Sequence, residues 1–138
     1  MRQPNPINIR GIDHVVIRAS DIEAMTDFYC EVLGCRMERN LTDLQLIQLR
    51  AGDSLIDLVD AAGALGQQAG GPPDHQAPNM DHLCLRIAPW DLDAIRAHLQ
   101  AHGVEPGDVA TRYGASGYGP SLYLNDPEGN VVELKGAD

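Results

Sequence analysis

The chain has 138 residues, with ten basic against twenty acidic side chains and a formal net charge of −10. An acidic surface without a Lys- or Arg-rich run repels phosphate backbones and anionic headgroups, which argues against nucleic-acid and membrane partners. No apolar run approaches the roughly 20 residues of a spanning helix, and the opening MRQPNPINIR lacks the apolar middle of a signal peptide, so the expectation is one soluble, cytoplasmic domain over residues 1–138.

The first predicted element is a strand in IDHVVIR, residues 12–18. A helix follows in ASDIEAMTDFYCEVLG. Ser20 with Glu23 reads as a capping box, Ile22, Met25, Phe28, Tyr29, Val32 and Leu33 keep helical spacing, and Gly34 ends it. CRMERNL, LQLIQLR and SLIDLVD are then three short strands, completing a βαβββ module over residues 10–60. Residues 61–78, AAGALGQQAGGPPDHQAP, have the composition of a flexible linker.

MDHLCLRI, residues 80–87, restarts the series. Asp13, His14, Ile17 and Arg18 recur as Asp81, His82, Leu85 and Arg86, at a constant offset of 68 (82 minus 14). The second helix has Pro89 in its first turn, Asp91 and Asp93 at its positive end, a Leu92, Ile95, Leu99 stripe and Gly103 as terminator. A weak strand near 104–112, a flexible loop YGASGYG, and the strands SLYLN and VVELK joined by DPEGN complete a second βαβββ module over 79–136. The fold class is α+β: two tandem modules forming a curved mixed sheet, a cup, with helices on its outer face.

Strand parity says where the histidines point. His14, Val16 and Arg18 oppose Val15 and Ile17, while His82, Cys84 and Arg86 oppose Leu83, Leu85 and Ile87. The apolar faces take the helices, which leaves both histidines on the concave side. The last strand of each module adds an acid, Asp57 beside Leu55 and Val59, Glu133 beside Val131 and Lys135. A carboxylate among apolar strand residues is costly unless it is paired or bound to a metal. Two histidines and two carboxylates suit one divalent cation, Mn, Fe, Co, Ni or Zn. The alternative for Asp57 is a turn cap or an arginine partner; for Arg18 and Arg86 it is an ordinary place on a strand surface. His98 and His102 have i, i+4 spacing but lack the glutamate of a zinc helix. They and His75 are assigned no function. Cys30, Cys35 and Cys84, odd in number and without C-x-x-C spacing, read as reduced thiols whose task is packing.

DHVVIRASDIEAMTDFYCEVLG, MDHLCLRI and above all SLYLNDPEGNVVEL resemble the vicinal oxygen chelate superfamily, over about residues 10–136. That group includes glyoxalase I, bleomycin-binding proteins, fosfomycin-modifying enzymes, methylmalonyl-CoA epimerase and extradiol dioxygenases. The resemblance implies His14, His82 and Glu133 as metal ligands. Asp57 stands where glyoxalase I-like enzymes carry a glutamate, and one methylene shorter it would bind directly or through water. It further implies a small-molecule substrate, a homodimer, and isomerisation through an enediolate, with Glu133 as first choice of base and Asp57 second. Arg18 matches an arginine that contacts glutathione, the implied co-substrate, and Arg112 is the counterpart for a missing lysine in RYGASGYGP. Arg86 joins the substrate-binding set. Ser121 and Tyr123, sharing one face, resemble the phosphonate contacts of fosfomycin-modifying enzymes. The alternatives are therefore a fosfomycin-type thiol transferase or hydrolase, a ring-cleaving dioxygenase, or a non-catalytic bleomycin-resistance-type binder.

Overall fold

Short β-branched and leucine-rich runs separated by turns fold into eight strands. The computed structural model describes residues 3–74 and 76–137; His75 lies outside them. In chain order come β1 (His14–Ala19), α1 (Ile22–Asp27), β2 (Arg36–Leu41), β3 (Leu46–Ala51), β4 (Ser54–Asp60), α2 (Ala64–Gln68), β5 (Leu83–Ile87), α3 (Leu92–Ala101), β6 (Ala110–Gly114), β7 (Gly117–Asn125) and β8 (Val131–Gly136). They form two four-stranded mixed sheets, ordered β1-β4-β3-β2 and β5-β8-β7-β6. Each sheet pairs its first strand in parallel with its last and is otherwise antiparallel. The architecture is α+β with the expected module order. The two modules keep separate sheets, and β1 and β5 each lie at an edge.

Local chemistry moves several boundaries. Asp21, not Ser20, caps α1: its carboxylate accepts from the Ala24 amide at 3.0 Å. The Ser20 and Asp21 amides are turned to the Glu128 carboxylate of the second module, at 2.8 and 2.7 Å, so the Ser20–Glu23 capping box does not form. After Asp27 the helix widens into a π-helical turn, Phe28–Val32, and both Phe28 and Tyr29 are buried. Pro89 precedes α3, whose cap is Asp91, accepting from the Ala94 amide at 3.1 Å. YGASGYG is no flexible loop: it spans a tight β6–β7 hairpin in which Gly114 pairs with Gly117 and the Tyr113 and Tyr118 rings meet edge to face at 5.0 Å. An aromatic cross-strand pair and the positive φ of Gly117 favour that hairpin.

The segment between the modules carries α2. Arg18 Nη1 donates to the carbonyls of Ala69 and Gly71, both at 2.9 Å, while the Arg18 amide and Nε donate to Asn79 Oδ1. One apolar cluster runs through both modules, joining Ile17, Met25, Tyr29, Leu49 and Leu58 to Leu99, Leu122 and Val132. Each such side chain contributes roughly 1.5–3 kcal/mol through burial. With the core on the helix side, the opposite face is exposed along the edge strand, Val16 at 53% between His14 and Arg18, and closes over the inner strands, where Asp57 and Glu133 are buried.

Candidate functional site

His14 opens β1 and His82 immediately precedes β5, and each follows an aspartate in sequence. Asp13 Oδ1 lies 2.7 Å from His14 Nδ1, and Asp81 Oδ2 lies 2.6 Å from His82 Nδ1. An acid on Nδ1 orients the imidazole and leaves Nε2 as the donor atom for a ligand. The hydrogen bond from His14 to Asp13 raises the His14 pKa above its ordinary value, with the Asp57 charge adding to it against the opposing effect of desolvation.

The acids sit on the central face of each sheet. Asp57 lies opposite Val16 and Gln48, and Glu133 lies opposite Cys84 and Tyr123. Glu133 Oε1 is 3.2 Å from His82 Nε2. With Asp81 on the other nitrogen, that contact joins two groups that both accept hydrogen bonds unless a proton or a metal cation lies between them. Asp57 is buried and accepts from Gln48 Nε2 at 3.1 Å on Oδ2, yet its Oδ1 is buried with no hydrogen-bond partner. An orphaned carboxylate oxygen is rare, and a cation would satisfy it. Two imidazole nitrogens and two carboxylates are a donor set that fits a divalent metal.

The structure gathers these residues into two pairs. His14 lies within reach of the Asp57 charge, and His82 touches Glu133. Among the described residues, no three His, Cys, Asp or Glu side chains converge as a metal cluster within one chain. The surroundings of the second pair are better built. Tyr123 stands edge-on to His82 at 5.5 Å, and the Arg112 guanidinium stacks over the Tyr123 ring at 4.5 Å while Nη1 donates to the Ser121 carbonyl and hydroxyl at 2.9 and 2.7 Å. Ser121 is buried and engaged by Arg112. Desolvation first, then Glu133, pushes the Cys84 thiol up to about 11, so it stays protonated at neutral pH. Arg86, exposed on β5, lies opposite Lys135. Arg18 is committed to the connecting segment and Asn79, as described above. Gln48 is a member of this environment that sequence reading missed, revealed by its register opposite Asp57; Lys135, set by parity on the Glu133 face, proves buried and opposite Arg86.

A model of the family described as "Glyoxalase/Bleomycin resistance protein/Dioxygenase superfamily" matches residues 11–134. Virulence protein STM3117 of Salmonella typhimurium is 31% identical over 127 residues, covering 91% of this chain and 83% of that protein. Its crystal structure superposes with a TM-score of 0.79 over 96% of this chain and 100% of that one. Lactoylglutathione lyase from Agrobacterium tumefaciens is 25% identical, with a TM-score of 0.69 and coverage of 94% and 95%. TnmS3, an antibiotic-binding protein from Streptomyces sp. CB03234, is 26% identical, with a TM-score of 0.70 and coverage of 96% and 99%.

Proposed function

This chain belongs to the glyoxalase/bleomycin resistance protein/dioxygenase superfamily, and on that premise we propose that it is a divalent-metal-dependent enzyme catalysing a glyoxalase I-like isomerisation. The observation that carries this reading is the orphaned Oδ1 of buried Asp57, on the same sheet as His14, whose Nδ1 is engaged by Asp13. The likeness to a lactoylglutathione lyase supports it. His14, Asp57, His82 and Glu133 would hold the metal. Bound there, a Ni, Zn, Mn, Co or Fe ion would polarise a substrate carbonyl and acidify the adjacent C–H. Glu133 removes that proton and returns it to the neighbouring carbon; Asp57 is the alternative base. Tyr123, fixed by Arg112, walls the site beside His82.

Because the two pairs do not converge within one chain, a second copy completes the centre, its His82–Glu133 pair meeting His14–Asp57. The open edges of β1 and β5, and the exposed Ile7, Ile9 and Ile12 leading into β1, support such a homodimer. Three free cysteines support a reducing, cytoplasmic setting. Among the described residues, no helix is long and apolar enough to cross a membrane.

The test is elemental analysis of chelator-free protein, then titration of apo-protein with each metal, followed by methylglyoxal plus glutathione as first substrate. One metal per centre with metal-dependent thioester formation is expected. Failure to bind any metal tightly would reject the isomerase and favour a ligand-binding role, which the likeness to TnmS3 makes the second reading.

A further inference from the structure

Lys135 is the chain's single lysine, yet it is only 4% exposed. It shares the β8 face of Glu133, two residues on, and pairs in register with Arg86 of β5. Its nearest acceptors are neutral and distant, the Ser116 hydroxyl and the Gly136 carbonyl, both at 3.4 Å. Among the described residues no carboxylate forms an ion pair with it. A buried ammonium without a counter-ion is costly. Space has been made for it: a Cβ on Gly114 would lie 3.2 Å from Lys135 Cδ and Cε, and one on Gly119 would lie 3.3 Å from Nζ. A cleft of about 240 Å³ opens here, bounded by His82, Arg86, Ser116, Glu133 and Lys135.

We propose that this cleft is an anion subsite, in which Lys135 and Arg86 receive a carboxylate or a phosphate-type group of the substrate. Its link to catalysis rests on the isomerase reading, because an anion held there places the rest of the molecule against the His82–Glu133 pair. The two cations give charge-assisted, partly dehydrated hydrogen bonds, and Ser116 adds a hydroxyl. The substrate class is thereby narrowed to small anions whose charge lies a few atoms from the reacting carbon.

A chain with one lysine allows a direct test. Full-length protein carrying 13C-lysine, treated with chelator, gives a single lysine Hε–Cε correlation to follow while inorganic phosphate or acetate is added at constant ionic strength against a chloride control. A saturating shift with phosphate alone assigns a phosphate-type group, and with acetate alone a carboxylate. Arg86→Gln, at an exposed position that leaves folding intact, is expected to weaken that binding roughly tenfold or more. A shift that never saturates with either anion, or an unaltered titration in Arg86→Gln, overturns the subsite. The titration needs no metal, so saturation in a protein that binds none would retain the subsite and reject the isomerase.

Discussion

The two modules place the same residues in the same register and yet finish them differently. In each, a histidine backed by an aspartate stands at the entry to the first strand, His14 as the first residue of β1 and His82 immediately before β5, and an acid on the last strand faces the position two residues further on, Val16 in one module and Cys84 in the other. The second acid is a glutamate and reaches its histidine at 3.2 Å. The first is an aspartate, one methylene shorter, and it turns to Gln48 and leaves Oδ1 without a partner. The two acids thus differ by one methylene and in what they meet, an imidazole nitrogen in one module and a glutamine amide with an unpaired oxygen in the other.

Removing the proposed ligands should have the largest effect. Glu133→Ala and His82→Ala are each expected to lower metal affinity by more than the roughly 10–100-fold that an outer partner costs, as read by competition with a chromophoric chelator. Retained stoichiometric binding in both would place the metal elsewhere. Asp13→Asn and Asp81→Asn, which touch only the histidines, should each fall within that roughly 10–100-fold range; loss in the Asp81 variant alone would show that the first module does not contribute. Exchanging the buried acids separates them by stability. Asp57→Leu is expected to stabilise metal-free protein by about 1–3 kcal/mol in urea unfolding, because it removes an unsatisfied buried oxygen. Glu133→Leu should give no such gain, since Glu133 holds no buried oxygen without a partner; equal gains would mean that both acids are strained alike. The smallest effect is expected at the seam between modules. Tyr29 donates to Asp126 Oδ2 at 2.9 Å, and Asn130 Nδ2 also serves that oxygen, so Tyr29→Phe should cost about 1 kcal/mol.

Periodicity carried most of the fold. Parity assigned His14 and His82 to the open faces, because alternation along a strand is local and survives any tertiary arrangement. SLIDLVD became β4 without a shifted boundary. What failed depended on contacts across the chain. Ser20 lost its cap because Glu128, more than a hundred residues away, occupies its amide. YGASGYG looked mobile by composition, and only the Tyr113–Tyr118 pairing reveals a hairpin. Arg18 read as a substrate cation, whereas its guanidinium is spent on Ala69 and Gly71. Parity set Lys135 on the Glu133 face but not its burial, because a lysine near the end of a strand looks like surface; Gly114 and Gly119 lie close against it.

The continuous cluster from Ile17 through Tyr29 to Leu122 and Val132 has a bearing on ancestry as well as on packing. A duplicated gene begins as two copies of something that folded alone, or in pairs. Here the seam between the copies has itself become core. Either half expressed by itself would bare Leu122 and Val132, or Met25 and Tyr29, to water. With one core shared by both modules, the whole chain is expected to melt in a single cooperative step, seen as coincident urea transitions by near- and far-UV circular dichroism.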